Sequence, residues 1–513
     1  MSEKIDIACL AHKLGIQHAT LNSKEVRKTL GQFMTPEGIA AYMAKQTLKE
    51  FRGETLRVLE PAAGSGILVA ALLDCVFLEA RKIRKIELVM YEVDHDLVLK
   101  LKHLVAKMRA AAKQLEIEFS CSIREQDFLL NTPSESFDIV ISNPPFFKLK
   151  KGDSRSLAHQ DVVHGQPNIY GLFMASCASL LAESGIFCFL TPRSWTSGPY
   201  FANVRKHLLK HLSLDAIHLF TDRRAAFKED RIQQEMMITW ATAGKTHARD
   251  VLLMSSEGAH DVKAAKRRLV KNDQILSNLA GTSIVIPATS TPRTFSQWTE
   301  NLTSLGLKAS TGKVVPFRAQ NWIVNKKAQN TAPLFWLQHV NRASITWPLR
   351  VAQEHIKNLI KSKKLLVPNE NYVFVRRFSP RDSLHWVTAA PYLRTVVTSH
   401  IGIENHLNYI KKIDGELSRL EAVGIAAYLN SKLVNEYFLE HLGHTQINVS
   451  DLNQLPFPEM AKILRLGEAI SSLNSTQNSD QVTSQILEAP ASTNCSEHRD
   501  HRHEQSVTEE SSV

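Results

Sequence analysis

The sequence predicts an α/β fold: a doubly wound sheet over the N-terminal half, followed by a smaller α/β or α+β unit. Three observations carry that expectation. Val58-Leu59-Glu60-Pro-Ala-Ala-Gly64-Ser-Gly66, followed by the apolar run Ile67 to Leu78, reads as strand, tight glycine turn and helix, the first βα unit of such a sheet. Two further strand-like runs, Ile86 to Tyr91 and Glu118 to Ile123, each lead into an acidic segment, Glu92-Val-Asp94 and Gln126-Asp127-Phe128. A fourth run, Ile139 to Ile141, is apolar throughout, as a strand covered on both faces must be. It stops in Asn143-Pro-Pro-Phe146, since Pro144 and Pro145 have no N–H to give a ladder.

Length and composition set the class. A chain of 513 residues exceeds what one core supports and should divide into two or three domains. Its 43% hydrophobic and 7% aromatic content is ordinary for a soluble globular protein. No apolar run approaches the roughly 20 residues of a membrane helix. The start, Met1-Ser-Glu-Lys-Ile-Asp6, has mixed charge where a signal peptide is apolar, so a cytoplasmic location and no membrane partner are expected. The six cysteines have no metal-ligand spacing and read as small apolar residues of a reducing compartment; no metal is expected. Net charge is +11, and residues 471–513 hold seven acids against two arginines, leaving about +16 on the remainder. That excess suits a polyanionic partner.

Taken in order, Ile5 to Leu30 shows helical spacing and should pack outside the sheet. In Gly31-Gln-Phe33-Met-Thr35-Pro36, Thr35 is placed as an N-cap with Pro36 at the first helical position of Glu37 to Lys49. Glu60 ends the first strand and faces the crevice, and the glycines after it let backbone approach a ligand. Glu92 is placed to grip a ribose diol at the end of the second strand. Asp127 could accept from a base amino group while Phe128 covers a ring face. At the fourth strand's end, Asn143, stiffened by two prolines and followed by Phe146, could hold a planar base by its exocyclic amine. Each acid alone is more often a solvated strand end; their succession is what points to a ligand crevice.

Phe33-x-Thr-Pro36, Glu60-Pro-Ala-Ala-Gly-Ser-Gly66, Glu92, Asp127-Phe128 and Asn143-Pro-Pro-Phe146 stand in the motif order of gamma-class N6-adenine DNA methyltransferases. The chain resembles the methyltransferase of a type II restriction–modification system. The likeness continues through Asn168-Ile-Tyr-Gly-Leu-Phe173, Pro192-Arg-Ser194 and Arg223-x-x-x-Phe227. It implies a class I methyltransferase sheet using S-adenosylmethionine. Phe33, Thr35 and Pro36 would contact the methionine end, with Glu60, Ala62, Gly64 and Gly66 beneath it. Glu92 would hold the ribose, and Asp127 with Phe128 the adenine. Catalysis would fall to Asn143, Pro144, Pro145 and Phe146. The Asn143 side-chain oxygen and the Pro144 carbonyl would accept from the target N6, while Phe146 and Phe227 would stack on a flipped base.

The expected division is residues 1–245 for the cofactor domain, 246–300 for a hinge, 301–470 for a DNA-recognition domain and 471–513 for a disordered tail. Within 301–470, aromatics mix with amide and basic side chains from Asn321 to Arg342 and from Asn369 to Arg381. These are side-chain types that read base edges. The expected partners are duplex DNA and a cognate restriction endonuclease that shares the site without binding the protein, which is expected to be a monomer. RNA adenine methylation, protein glutamine methylation and an inactive DNA-binding regulator are the alternatives.

Overall fold

In the computed structural model the described residues are 6–21, 31, 33–78, 82–150, 152–163, 165, 167–197, 199–222, 235–244, 250–277, 283–284, 286, 298–349, 353–378, 385–441, 446–474 and 478–489. A nine-stranded sheet organises the N-terminal part, in the order β3-β2-β1-β4-β5-β7-β6-β8-β9. Its strands are β1 (Thr55–Glu60), β2 (Lys85–Tyr91), β3 (Glu118–Arg124), β4 (Phe137–Ser142), β5 (Leu181–Pro192), β6 (Leu212–Phe220), β7 (Met236–Ala243), β8 (Val251–Ser256) and β9 (Lys266–Val270). The first five run parallel, and β7 is inserted antiparallel between β5 and β6. Strand order reverses between β1 and β4, where open α/β sheets bind ligands.

Successive residues of each central strand enter opposite layers, as a pleated strand requires. Ile139 and Ile141 of β4 join one core and Val140 the other; in β5, Ile186, Cys188 and Leu190 oppose Phe187 and Phe189. One layer holds α1 (Ile7–Leu21), α2 (Glu37–Leu48), α3 (Ile67–Leu78) and α4 (His95–Gln114); the other holds α6 (Ile169–Ala178) and α7 (Ala202–His211), with the short α5 (Ser154–Ala158) before them. Register at the switch point is fixed by Asp138. Its carboxylate accepts from the Arg57 backbone at 2.8 Å and from the Arg57 guanidinium at 2.9 and 3.2 Å, which ties β4 to β1. A buried polar chain ties α2 to the far strands: Tyr42 Oη lies 3.1 Å from His218 Nδ1, and His218 Nε2 lies 2.8 Å from Ser256 Oγ.

The expected boundary at 245 falls too early. β8 pairs with β6 and β9 with β8, so the sheet runs on to Val270 through the expected hinge. Of the apolar residues of β8, Val251, Leu253 and Met254 are buried in its two cores and Leu252 is half-buried against one of them.

The C-terminal part has two larger sheets and a two-stranded one, Val340–Asn341 with Ser344–Ile345. Of the larger two, one is antiparallel, pairing Leu307–Thr311, Leu407–Lys412, Asn371–Arg376 and Ala389–Leu393; the other is a five-stranded mixed sheet centred on Thr331–Phe335. Helices Arg419–Leu429 and Met460–Ser471 cross closely because a glycine of each, Gly424 and Gly467, meets backbone of the other at Ile463 and Leu420. The tail expectation also needs correction, since Ser479–Glu488 is helical. Leu487 enters the core, and Asp480 takes a bidentate grip from Arg342. Low overall hydrophobicity hid a short amphipathic turn pattern, Val482 with Ile486 and Leu487. Among the described residues no helix is long and apolar enough to cross a membrane.

Candidate active site

The strand ends at the switch point open into a cleft of about 300 Å³. Phe33, Thr35, Glu60, Ala62, Gly64, Glu92, Asp127, Phe128 and Asn143 line it together, although they come from five separate stretches of the chain. Pro145, Phe147, Asp94, Gln126 and Arg155 complete the wall.

Asn143 leaves β4 with its amide oriented by distant partners. Nδ2 donates to the Phe33 carbonyl at 3.0 Å and to the Thr35 hydroxyl at 2.9 Å. The reverse orientation would set the amide oxygen against the Phe33 carbonyl oxygen. Both N–H groups are therefore occupied, and the buried Oδ1 is left with no partner. A buried acceptor without a donor costs about 1–3 kcal/mol, so it is a group waiting for a ligand. The expected capping of α2 by Thr35 is not what the structure shows. Pro36 occupies that position with Glu37 as the first helical residue, and the threonine hydroxyl is used on Asn143 instead.

Gly31, φ +65°, explains how the two segments meet. A Cβ there would lie 2.8 Å from the Phe146 nitrogen and 2.9 Å from the Phe147 ring. The sequence contains this glycine, but nothing local marks it as the meeting point. Phe146 does not line the cleft; its ring lies along Phe33 at 5.7 Å and meets Tyr170 edge-on at 5.9 Å. Tyr170 is in turn held by Ser194 at 2.7 Å and stacked on Phe201. The Asn168 to Phe173 and Pro192 to Ser194 motifs thus buttress the catalytic-type loop. Phe227 lies outside the described residues.

The Glu92 carboxylate is fixed by three backbone amides: Gly64 at 2.7 Å on one oxygen, Val93 and Asp94 at 2.9 Å on the other. Burial raises its pKa, and those donors oppose the rise. Glu60, 1% exposed, has an oxygen with no partner, and burial pushes its pKa well up, with Glu92 adding to the effect. Gly64 holds φ +56° with nothing within 4 Å of a notional Cβ, an open cradle. Gly66 has a different task. A Cβ there would meet Leu101 and Leu104 at 2.8 Å, so it seats α4 against the turn and does not line the cleft.

Asp127 accepts from the Leu129 amide at 2.9 Å, and its other oxygen is 3.7 Å from Arg155. Arg155 also grips Asp153 and lies over the Phe147 ring at 5.6 Å, so residues 152–158 fold back on the cleft. Sequence reading misses Arg155, because nothing local links it to Asp127. Phe128 forms the cleft floor more than a ring cover: it is 1% exposed, stacked on Phe173 at 5.4 Å and edge-on to Tyr91 at 5.2 Å. His159 braces the same loop, with Nε2 2.9 Å from the Leu129 carbonyl.

A parallel sheet reversing between β1 and β4, with antiparallel β7 slotted before β6 and acidic strand ends around one cleft, is the class I methyltransferase fold. The chain belongs to the type II DNA methyltransferases of restriction–modification systems. It is 30% identical over 480 residues to the type II methyltransferase M.PstI of Providencia stuartii, covering 90% of this chain and 94% of that protein. It is 29% identical to M.BsuBI of Bacillus subtilis, covering 89% and 92%. Residues 78–227 match the Eco57I restriction-modification methylase family. Among solved structures, the type IIL restriction-modification enzyme MmeI in complex with DNA aligns at TM-score 0.61 and 11% identity, over 92% of this chain and 77% of that one.

Proposed function

We propose that the protein transfers a methyl group from S-adenosylmethionine to N6 of an adenine swung out of duplex DNA. The observation that carries this reading is the Asn143 amide, whose N–H groups are both taken and whose buried oxygen is free to accept. An exocyclic amine donates to such an oxygen; a ring carbon or a carbonyl does not. With the Pro144 carbonyl as second acceptor, the two N6 hydrogens would be drawn to one side, the nitrogen pulled toward tetrahedral geometry and its lone pair freed from the ring to face the donor methyl. The donor, when bound, supplies an electrophilic sulfonium methyl.

The cleft residues fit that donor. Glu92 offers a preorganised carboxylate for a diol, Gly64 a bare backbone turn, and the unpartnered Glu60 oxygen an acceptor for an ammonium. Asp127 and the Phe128 floor suit the adenine end. N6 lies inside the duplex, so the base must be extruded at a cost of a few kcal/mol. No separate base is required, because the amine proton becomes acidic only after the methyl has moved. Residues 301–470 would recognise the site, and a cognate endonuclease would read the same sequence without binding this chain. The location would be cytoplasmic and the working unit a monomer.

The test is expression in a methylation-free host followed by modified-base sequencing of the DNA. N6-methyladenine in one sequence context is expected; methylation of cytosine, or none, rejects the reading. Asn143→Ala should lose about 3 kcal/mol of barrier lowering, the typical cost of one preorganised donor or acceptor. It should still bind the cofactor, measured by calorimetry.

A further inference from the structure

From Glu300 to Glu370 the chain carries eleven lysines and arginines and, between those two acids, only Glu354. Glu354 is buried against His339 at 2.9 Å and presents no charge to the surface. Four of the lysines cluster at one end of the mixed sheet. Lys357 ends its strand, and Lys361, Lys363 and Lys364 follow in the next turn, where the Asn358 amide donates to the Asn330 carbonyl at 2.7 Å. Among the described residues no carboxylate pairs with any of the four. Lys357 donates instead to the Asn321 carbonyl at 3.2 Å.

At the tip of this turn stands Ile360, 96% exposed, beside Leu359 at 43%. The tip is rigid. Ser362, fully buried, donates to the Lys357 carbonyl at 2.6 Å and accepts from the Leu359 amide at 3.0 Å, which pins both arms of the turn under the isoleucine. A large aliphatic side chain held out on a stiff support, ringed by cations without carboxylate partners, is costly in water and suits a partner that is anionic outside and apolar within.

We infer that this turn is a wedge against duplex DNA. Ile360 enters a groove and presses between base steps, while Lys357, Lys361, Lys363 and Lys364 neutralise phosphates on either side. The inference rests on the chain acting on DNA, not on which base it modifies. It is tested by binding alone, without methyl transfer.

The full-length protein is titrated with a short mixed-sequence duplex over a range of KCl concentrations, read by fluorescence anisotropy. A K361Q/K363Q/K364Q variant should weaken binding and flatten the slope of log affinity against log salt by about 0.9 for each phosphate that is no longer neutralised. Ile360→Ala should weaken binding several-fold and leave that slope unchanged, with the melting temperature unaffected because the residue packs on nothing. An unchanged slope in the lysine variant, or unchanged affinity in Ile360→Ala, overturns the wedge. So does sedimentation with phosphatidylserine vesicles that the lysine variant loses while its DNA slope stays intact; that result assigns the turn to a lipid surface.

Discussion

At the scale of single residues, the centre of the site is one amide oriented by two partners more than 100 positions away in the chain. If the Thr35 hydroxyl orients Asn143, Thr35→Val should lower kcat about tenfold, the worth of one hydrogen bond, and leave KM for cofactor little changed. Thr35→Ser should restore most of the loss; equal damage by both variants would point to packing instead. Glu60 yields a pH prediction. Its folded pKa is raised by burial, and only its charged form attracts an ammonium, so cofactor affinity should rise with pH through that raised pKa. Calorimetric titration should find the rise in the wild type and a flat profile in Glu60→Gln.

The strand-end acids and the Asn-Pro-Pro-Phe corner are legible because each interrupts an apolar run, which a sequence displays directly. What is not legible is contact across the fold. Thr35 looks like a cap because threonine before proline usually is one, and only the third dimension brings Asn143 to it. Gly66 looks like Gly64, yet one faces the cleft and the other faces Leu101 and Leu104. Phe146 looks free to stack on a base, yet Phe33 and Tyr170 lie against it.

At the scale of elements, the five parallel strands can be read from the sequence and so can β8, at Val251 to Met254; that β8 and β9 belong to the same sheet cannot. Their flanks are rich in Lys and Arg, and the charge suggests a linker where there is an edge strand. The pair Arg419–Leu429 and Met460–Ser471 shows the reverse case, a packing detail carried by two residues. A methyl group added at Gly467 meets the Leu420 carbonyl, so the helices must separate. Gly467→Ala should cost about 1–3 kcal/mol, the usual range for overpacking. Thermal melting should show a lowered transition for the C-terminal part, with cofactor binding by the N-terminal part retained.

For the molecule as a whole, two buried groups set opposing pH responses. Asp74 on α3 accepts from the Ile7 and Ala8 amides at the start of α1, at 3.2 and 2.8 Å. Burial lifts its pKa to about 6, against those two hydrogen bonds. A raised folded pKa means that its contribution to stability is complete below pH 3.8 and is lost as pH climbs through 6. His218 runs the other way: burial lowers it to about 4, so its contribution is complete above pH 6.5 and is lost as pH falls through 4. In Asp74→Asn only the histidine response remains. Urea unfolding between pH 4 and 6 should then show stability rising with pH more steeply than in the wild type; an identical slope would mean that Asp74 keeps an ordinary pKa.

The close approach of Gly31 to Phe146 has a consequence for order of events. Gly31 and Phe33 to Thr35 border the cleft proposed for the methyl donor, and Phe33 and Thr35 also hold Asn143, which would meet the acceptor. Anything that presses on this strip when the donor arrives is felt at once by the amide. On the proposed reading the two substrates would therefore not be received independently, and this shared joint would let the protein sense whether it is loaded before it commits to a target.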